Sequence, residues 1–172
     1  MNNVTDVRSK VKPNAAFMLS SLHHFIAQGF GSGLSPIMPG TVGTLLAWAM
    51  YVVMTNRWPG FFTESHWAWI IGIGFFVGIL VCEKTGQALG VSDHGSMVWD
   101  EIIAMWLVLL LLMPADFVTQ CWAFFWFRFF DMVKPPPISY FDQHLKGGFG
   151  VMWDDIVAAF YTLLLFTVWR LI

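Results

Sequence analysis

The sequence predicts an all-α fold, a small polytopic membrane bundle of about four to five short transmembrane helices preceded by an N-terminal amphipathic helix. Three observations lead there. Of 172 residues, 57% are hydrophobic and only 12% are charged, about half the ~25% charged share of ordinary soluble domains. Ten Trp and seventeen Phe swell the apolar content further. Finally, the charges are gathered into short polar stretches that separate long uncharged runs. The length suits one domain over residues 1–172. A formal net charge of −2 gives no reason to expect a nucleic-acid partner. Cys82 and Cys121 lie in or at the end of apolar segments without framework spacing, and read as free packing thiols.

The elements follow in chain order. Arg8, Lys10 and Lys12 precede Ala15 to Gln28, a segment that carries His23, His24 and Gln28 and lacks the apolar core of a signal peptide. It reads as a short interfacial helix with Phe17, Leu22 and Phe25 toward lipid. Gly29, Gly31 and Gly33 then oppose a stable helix, and Pro36 and Pro39 stiffen the exit. Thr41 is placed to cap a helix from Val42 to about Asn56. Trp67 to Cys82 is sixteen residues without a charge. A polar loop with Glu83, Lys84 and Gly90 leads to Asp93–Glu101, and Ile102 to Met113 is the next apolar run. Pro114 and Asp116 break it, and the aromatic Phe117–Phe130 follows, closed by Lys134-Pro135-Pro136-Pro137. A second polar loop runs through Asp142, His144, Lys146 and Gly147–Gly150 to Asp154-Asp155, and Ile156 to Ile172 is the last apolar helix.

Each run is shorter than the ~20 residues that cross a ~30 Å hydrocarbon core, so the polar ends belong near the headgroups or the bilayer thins around them. A bundle that only dips into the membrane is the competing arrangement. With five crossings and a cytoplasmic N-terminus, Arg8, Lys10, Lys12, Lys84, Lys134 and Lys146 all fall inside, as the positive-inside rule asks. The same parity puts the Gly29–Thr41 loop, the Asp93 loop and the Asp142–Asp155 loop on one face.

Those loops carry the chemistry. Asp93, Asp100 and Glu101 are three of eleven acids, within nine positions, where an apolar helix begins. Two bare carboxylates ~4 Å apart repel by about 4 kcal/mol at an effective dielectric near 20, and a divalent cation removes that cost. A helix N-terminus alone accounts for one such acid. Arg128, Asp131 and Lys134 step by three and share a helical face. They form either an ion-pair ladder or a phosphate-binding pair around a metal-binding carboxylate, since an arginine fork matches phosphate oxygens. Asp154-Asp155 repeats the device of paired acids opening an apolar helix. The glycine-rich loop, with Ser32, Gly33 and Ser35, either cradles phosphate through backbone N–H groups or packs helices closely. His94 can exchange a proton near neutral pH. The chain lacks a Cys-x5-Arg loop, an Asp-x-Asp-x-Thr/Val loop and an Asp-Gly-x-x-Ala-Arg signature. Carboxylate-held Mg²⁺ with basic residues for an anion remains, which is phosphate ester chemistry.

Four ordered blocks then carry a resemblance: Gly-Phe-Gly-Ser-Gly-Leu-Ser-Pro-Ile-Met-Pro-Gly-Thr at 29–41, Asp-His-Gly-Ser-Met-Val-Trp-Asp-Glu at 93–101, Phe-Arg-Phe-Phe-Asp-Met-Val-Lys-Pro at 127–135, and Gly-Gly-Phe-Gly-Val-Met-Trp-Asp-Asp-Ile-Val-Ala at 147–158. From about Gly29 to the last helix the chain resembles the phosphatidylglycerophosphatase A family of bacterial membrane lipid phosphatases. The resemblance implies Mg²⁺-dependent hydrolysis of phosphatidylglycerophosphate to phosphatidylglycerol and phosphate at the cytoplasmic membrane, with the site facing the cytoplasm. It points to metal ligands among Asp100, Glu101, Asp131, Asp154 and Asp155. Arg128 and Lys134, with the Ser32–Ser35 loop, would hold the substrate, and Asp93 or His94 would manage protons. A water or an aspartate nucleophile is compatible with these residues. The alternative from another class is a small divalent-cation transporter or channel, whose ligands belong near the bilayer midplane; here the acids lie at segment ends.

Overall fold

The computed structural model describes residues 12–171, with side chains described for all but 141–143 and 170–171. Among the described residues the regular structure is helical and no strand occurs. The order is α1 (Ala15–Leu19), α2 (Leu22–Ala27), a 3₁₀ segment (Gly29–Leu34), α3 (Pro39–Arg57), α4 (Glu64–Leu89), α5 (Trp99–Leu111), α6 (Phe117–Val133), α7 (Ile138–His144) and α8 (Gly147–Leu171). Arg8 and Lys10 lie outside the described residues.

The expected N-terminal helix is divided in two. Asn14 caps α1 by accepting from the Phe17 N–H at 2.8 Å, and Ser21 caps α2 by accepting from the His23 N–H. Two capping side chains seven residues apart offer the backbone a break between them. Leu19 and Leu22 stay 70% exposed, whereas Phe17 stacks on His24 and Phe25 meets the edge of Phe30.

Helix α3 starts earlier than the sequence indicates. Met38, left-handed at φ 47°, is the N-cap and Pro39 the first helical residue, so Thr41 lies inside the first turn and is not the cap. Proline at that position needs no N–H partner. Helix α4 also runs further than expected, through Glu83 and Lys84 to Gly90 at φ 73°, the left-handed glycine that commonly closes a helix. The glycine run 147–150 forms the first turn of α8 rather than a loop. Asp154 and Asp155 therefore lie about two turns inside that helix, not at its opening. At α6, Asp116 caps as the Thr119 N–H donates to its Oδ1 at 2.8 Å, and hydrogen bonds from Thr119 hold its carboxyl below the usual carboxylate range.

Helix α5 is the axis of the bundle. Ile102, Ile103, Ala104, Met105 and Val108 are fully buried, and α5 packs against α3, α4 and α8. Trp99 Nε1 donates to the Gly74 carbonyl at 2.9 Å and Trp106 Nε1 to the Ala47 carbonyl at 2.8 Å, satisfying both indoles where they are buried. The perimeter is apolar instead: Trp69, Phe76 and Trp169 are 70–77% exposed. Large aromatic surface turned outward fits lipid rather than water. Two helices, α4 and Gly147–Trp169 of α8, are long and apolar enough to cross a membrane.

Candidate active site

Three loops meet at one end of the bundle. Gly33 lies directly on the Ser96 carbonyl, where any Cβ would collide. The Val98 N–H donates to the Ala27 carbonyl at 2.8 Å. The Gly148 N–H at the head of α8 donates to Glu83 Oε2 at 2.7 Å, and Gln87 Nε2 steadies the other oxygen at 2.7 Å. These contacts tie the approach to α5 to α2 and the 3₁₀ segment, and the start of α8 to α4.

Because α5 begins at Trp99, Asp100 and Glu101 fall in its first turn, and α8 brings Asp155 up to them. One carboxylate oxygen from each of the three lies within 4.8 Å of the others. Asp100 is 8% and Asp155 3% exposed. Each of the three also keeps an oxygen buried without a hydrogen-bond partner: Oδ1 of Asp100, Oε2 of Glu101 and Oδ2 of Asp155. Removing one carboxylate from water costs several kcal/mol unless it is paired, and among the described residues this trio is the group that could hold a metal ion.

Arg128 reaches this cluster from α6. Its Nη1 lies 2.5 Å from Asp131 Oδ2 and 3.6 Å from Glu101 Oε1, and donates to Thr44 Oγ1 at 3.5 Å. Its Nε is buried and unpartnered, as is Oγ1 of Thr41 in the first turn of α3. Gly40 is the glycine this end requires. A Cβ there would run into Glu101 Oε1 and lie 3.0 Å from Arg128 Nη2. Lys134 ends α6 at φ 45°, a left-handed conformation that costs a non-glycine residue about 1–2 kcal/mol. Its Nζ lies 2.6 Å from Asp154 Oδ2. Across Asp100, Glu101, Asp131, Asp154 and Asp155, five carboxyl groups gather around two cations, Arg128 and Lys134.

The acids and bases read from the sequence therefore converge, with a division of labour. Asp100, Glu101 and Asp155 form the compact trio, while Asp131 and Asp154, also expected as ligands, are each engaged by a cation. The serines of the glycine-rich loop are turned to local bonds: Ser32 Oγ donates to the Gly29 carbonyl and Ser35 Oγ to the Ile37 carbonyl, each at 2.8 Å. Gly33 packs the loop against Ser96. From that stretch it is Gly40 that borders the cluster, and the signal for it was Pro39-Gly40-Thr41 as a helix opening. His94 Nδ1 accepts from the Ser96 N–H at 3.1 Å, which leaves the neutral ring's proton on Nε2. Asp93 is exposed and lines a cavity shared with Asp154.

Glu83 and Gln28 were not foreseen. Gln28 is fully buried, with Nε2 3.5 Å from Ser96 Oγ. Glu83 anchors the helix that carries Asp155. Glu83→Ala is expected to lower kcat about tenfold by loosening that helix, the scale seen when an outer partner of a site is removed. Glu83→Gln, whose amide oxygen still accepts from Gly148, should keep most of the rate. Parallel kcat and circular-dichroism measurements on both variants check this.

The family model for phosphatidylglycerophosphatase A matches residues 25–170. The phosphatidylglycerophosphatase A of Escherichia coli (strain K12) is 42% identical over 151 residues, covering 88% of this chain and 85% of its own. That of Haemophilus influenzae is 39% identical over 141 residues, 82% of this chain and 84% of its own. A Bacteroides thetaiotaomicron protein, provisionally named a phosphatidylinositol-3-phosphatase, is 37% identical over 157 residues, 88% of this chain and 95% of its own. No solved structure matches the chain.

Proposed function

This chain belongs to the phosphatidylglycerophosphatase A family and is a phosphatase, and we propose that it hydrolyses the terminal phosphomonoester of phosphatidylglycerophosphate with Mg²⁺ held by Asp100, Glu101 and Asp155. The products are phosphatidylglycerol and inorganic phosphate. The observation that carries the metal assignment is the buried trio, each member with an orphaned oxygen, its ligand atoms within 4.8 Å of one another. An all-oxygen, all-carboxylate donor set suits a hard divalent cation. When bound there, Mg²⁺ supplies Lewis-acid polarisation of a phosphoryl oxygen and an acidified water.

The chain's own residues do the rest. Arg128 offers its unpartnered Nε and Thr41 its unpartnered Oγ1, two donors to orient a phosphoryl group and offset the charge that spreads over its oxygens during transfer. Asp131 holds the guanidinium in place through the 2.5 Å contact, and Lys134 is held through Asp154. Asp93 or His94, on the same loop, would manage the protons of the reaction, the departing glycerol oxygen taking one as it leaves. The Ser32–Ser35 loop positions the α3 opening rather than touching phosphate with its hydroxyls.

The protein sits in the cytoplasmic membrane as a multi-pass bundle of α3, α4, α5, α6 and α8, its site facing the cytoplasm. The positive-inside pattern supports this, since Lys84, Lys134 and Lys146 all lie toward the site end. With 13 residues, α5 spans only about 20 Å, so its opening acids lie near the depth of the lipid headgroups. Exposed Leu19 and Leu22 suit α1 and α2 lying along the interface. A cation transporter would carry its carboxylates midway along the spans; Asp100 and Glu101 open α5.

Purified protein in lipid nanodiscs should release phosphate from phosphatidylglycerophosphate, stop on full chelation of divalent metal, and resume when Mg²⁺ is restored. Release that persists after chelation would refute the metal; absence of release at any metal concentration would refute the substrate.

A further inference from the structure

Thr44 lies in the second turn of α3, fully buried, and its hydroxyl is engaged on two sides. Oγ1 donates to the Gly40 carbonyl at 2.8 Å. With its one hydrogen committed there, the oxygen acts only as an acceptor on its other side, where Arg128 Nη1 donates to it at 3.5 Å. A bond to the carbonyl four residues back is common for a helical threonine. Thr162 and Thr167 of α8 make it too, to Ala158 and Leu163. Among the described residues, Thr44 is the one of these three to which a guanidinium also donates.

The partners of Arg128 differ in what they refer the guanidinium to. Asp131 is three residues further along α6, so its contact with Nη1 moves with that helix. The bond to Thr44 comes from α3, the helix whose first turn carries the unpartnered Thr41 Oγ1. The same turn presents Gly40 to the guanidinium, since a Cβ there would lie 3.0 Å from Nη2 and 3.2 Å from Nη1. A planar guanidinium held at Nη1 from two helices keeps one plane. Its Nε, buried and without a hydrogen-bond partner, then keeps one direction.

We propose that Thr44 is a positioning residue: through Nη1 it registers Arg128 to the opening of α3, so that Nε and the Thr41 hydroxyl address one phosphoryl group. The inference rests on the phosphatase reading above and adds to it the residue that aligns two donors borne by different helices. Thr44 touches no substrate and acts through Arg128. Donors aligned before the reaction need no reorganisation as charge develops on the phosphoryl oxygens.

The test uses the full-length protein in nanodiscs, with phosphatidylglycerophosphate at fixed Mg²⁺. Thr44→Val keeps the shape of the side chain and removes the acceptor; Thr44→Ser keeps the acceptor and removes a methyl group. Thr44→Val should fold, retain the Mg²⁺-induced thermal shift and lose about tenfold in kcat with little change in KM, because a misplacement of ~1 Å costs up to about a hundredfold. Thr44→Ser should stay close to the wild-type kcat. The valine substitution should cost almost nothing further in Arg128→Lys, where no guanidinium is left to align, as expected of two residues that act as a unit. Thr44→Ala carries the same expectations should valine prevent folding. A wild-type kcat in Thr44→Val, an equal loss in Thr44→Ser, or the full loss repeated in the Arg128→Lys background would overturn the positioning role and leave the phosphatase reading intact. A wild-type protein inactive on phosphatidylglycerophosphate would overturn both.

Discussion

Asp155→Asn is expected to reduce phosphate release by about a thousandfold, the scale of removing a preorganised electrostatic group from a closed site. Asparagine keeps the shape of the side chain and removes one carboxylate from a cluster of five gathered around two cations. Without metal the variant should therefore be at least as resistant to heat as the wild type, because like charges packed in a buried site repel. With metal the order should reverse. A cation that binds the folded state stabilises it by mass action, so the wild type should gain thermal stability on addition of Mg²⁺ and Asp155→Asn should not. Asp154→Asn provides the contrast. Its carboxylate is engaged by Lys134 at 2.6 Å, so the loss of rate should be smaller and most of the Mg²⁺-induced stabilisation should remain. Wild-type turnover in Asp155→Asn, or an undiminished thermal response to Mg²⁺, would remove this residue from the metal site.

The acids and bases were legible in the sequence because they are rare in so apolar a chain. Asp100-Glu101, Arg128–Lys134 and Asp154-Asp155 are conspicuous against uncharged runs, and helix parity alone predicts that their loops share a face. What was illegible depends on contacts between helices. Gly147 to Gly150 read as a loop because glycine weakens helices. Gly148, however, is pressed on the Ile79 carbonyl and bonded to Glu83, and those contacts override propensity. For the same reason Glu83 read as a loop charge when it is the fastening of α8. The glycine-rich loop offered several candidate phosphate contacts, and only its packing distinguishes Gly33, which lies on Ser96, from Gly40, which lies on Glu101 and Arg128. The hydroxyls of Ser32 and Ser35 turned to nearby carbonyls, a local competition that pattern reading does not resolve.

Arg128 is where the two halves of the site are joined, and its replacement separates charge from geometry. Arg128→Ala leaves Asp131 and Glu101 buried without their cation, a change that typically costs ~3–5 kcal/mol, so lost activity there would not distinguish catalysis from unfolding. Arg128→Lys keeps the charge. A lysine ammonium can meet Asp131, but a single nitrogen cannot also reach toward Glu101 and Thr44 while presenting the donor that Nε offers. The variant should fold, retain the Mg²⁺-induced thermal shift, and lose about a hundredfold in kcat, with KM changing far less, because the missing donor acts on charge that develops during phosphoryl transfer. Added guanidinium should not restore the rate to Arg128→Lys, whose ammonium fills the position, whereas it should partly restore Arg128→Gly if that variant folds. A wild-type kcat in Arg128→Lys would mean that the guanidinium only ties α6 to α3 and α5, and that the phosphoryl group is held by the metal and the α3 opening alone.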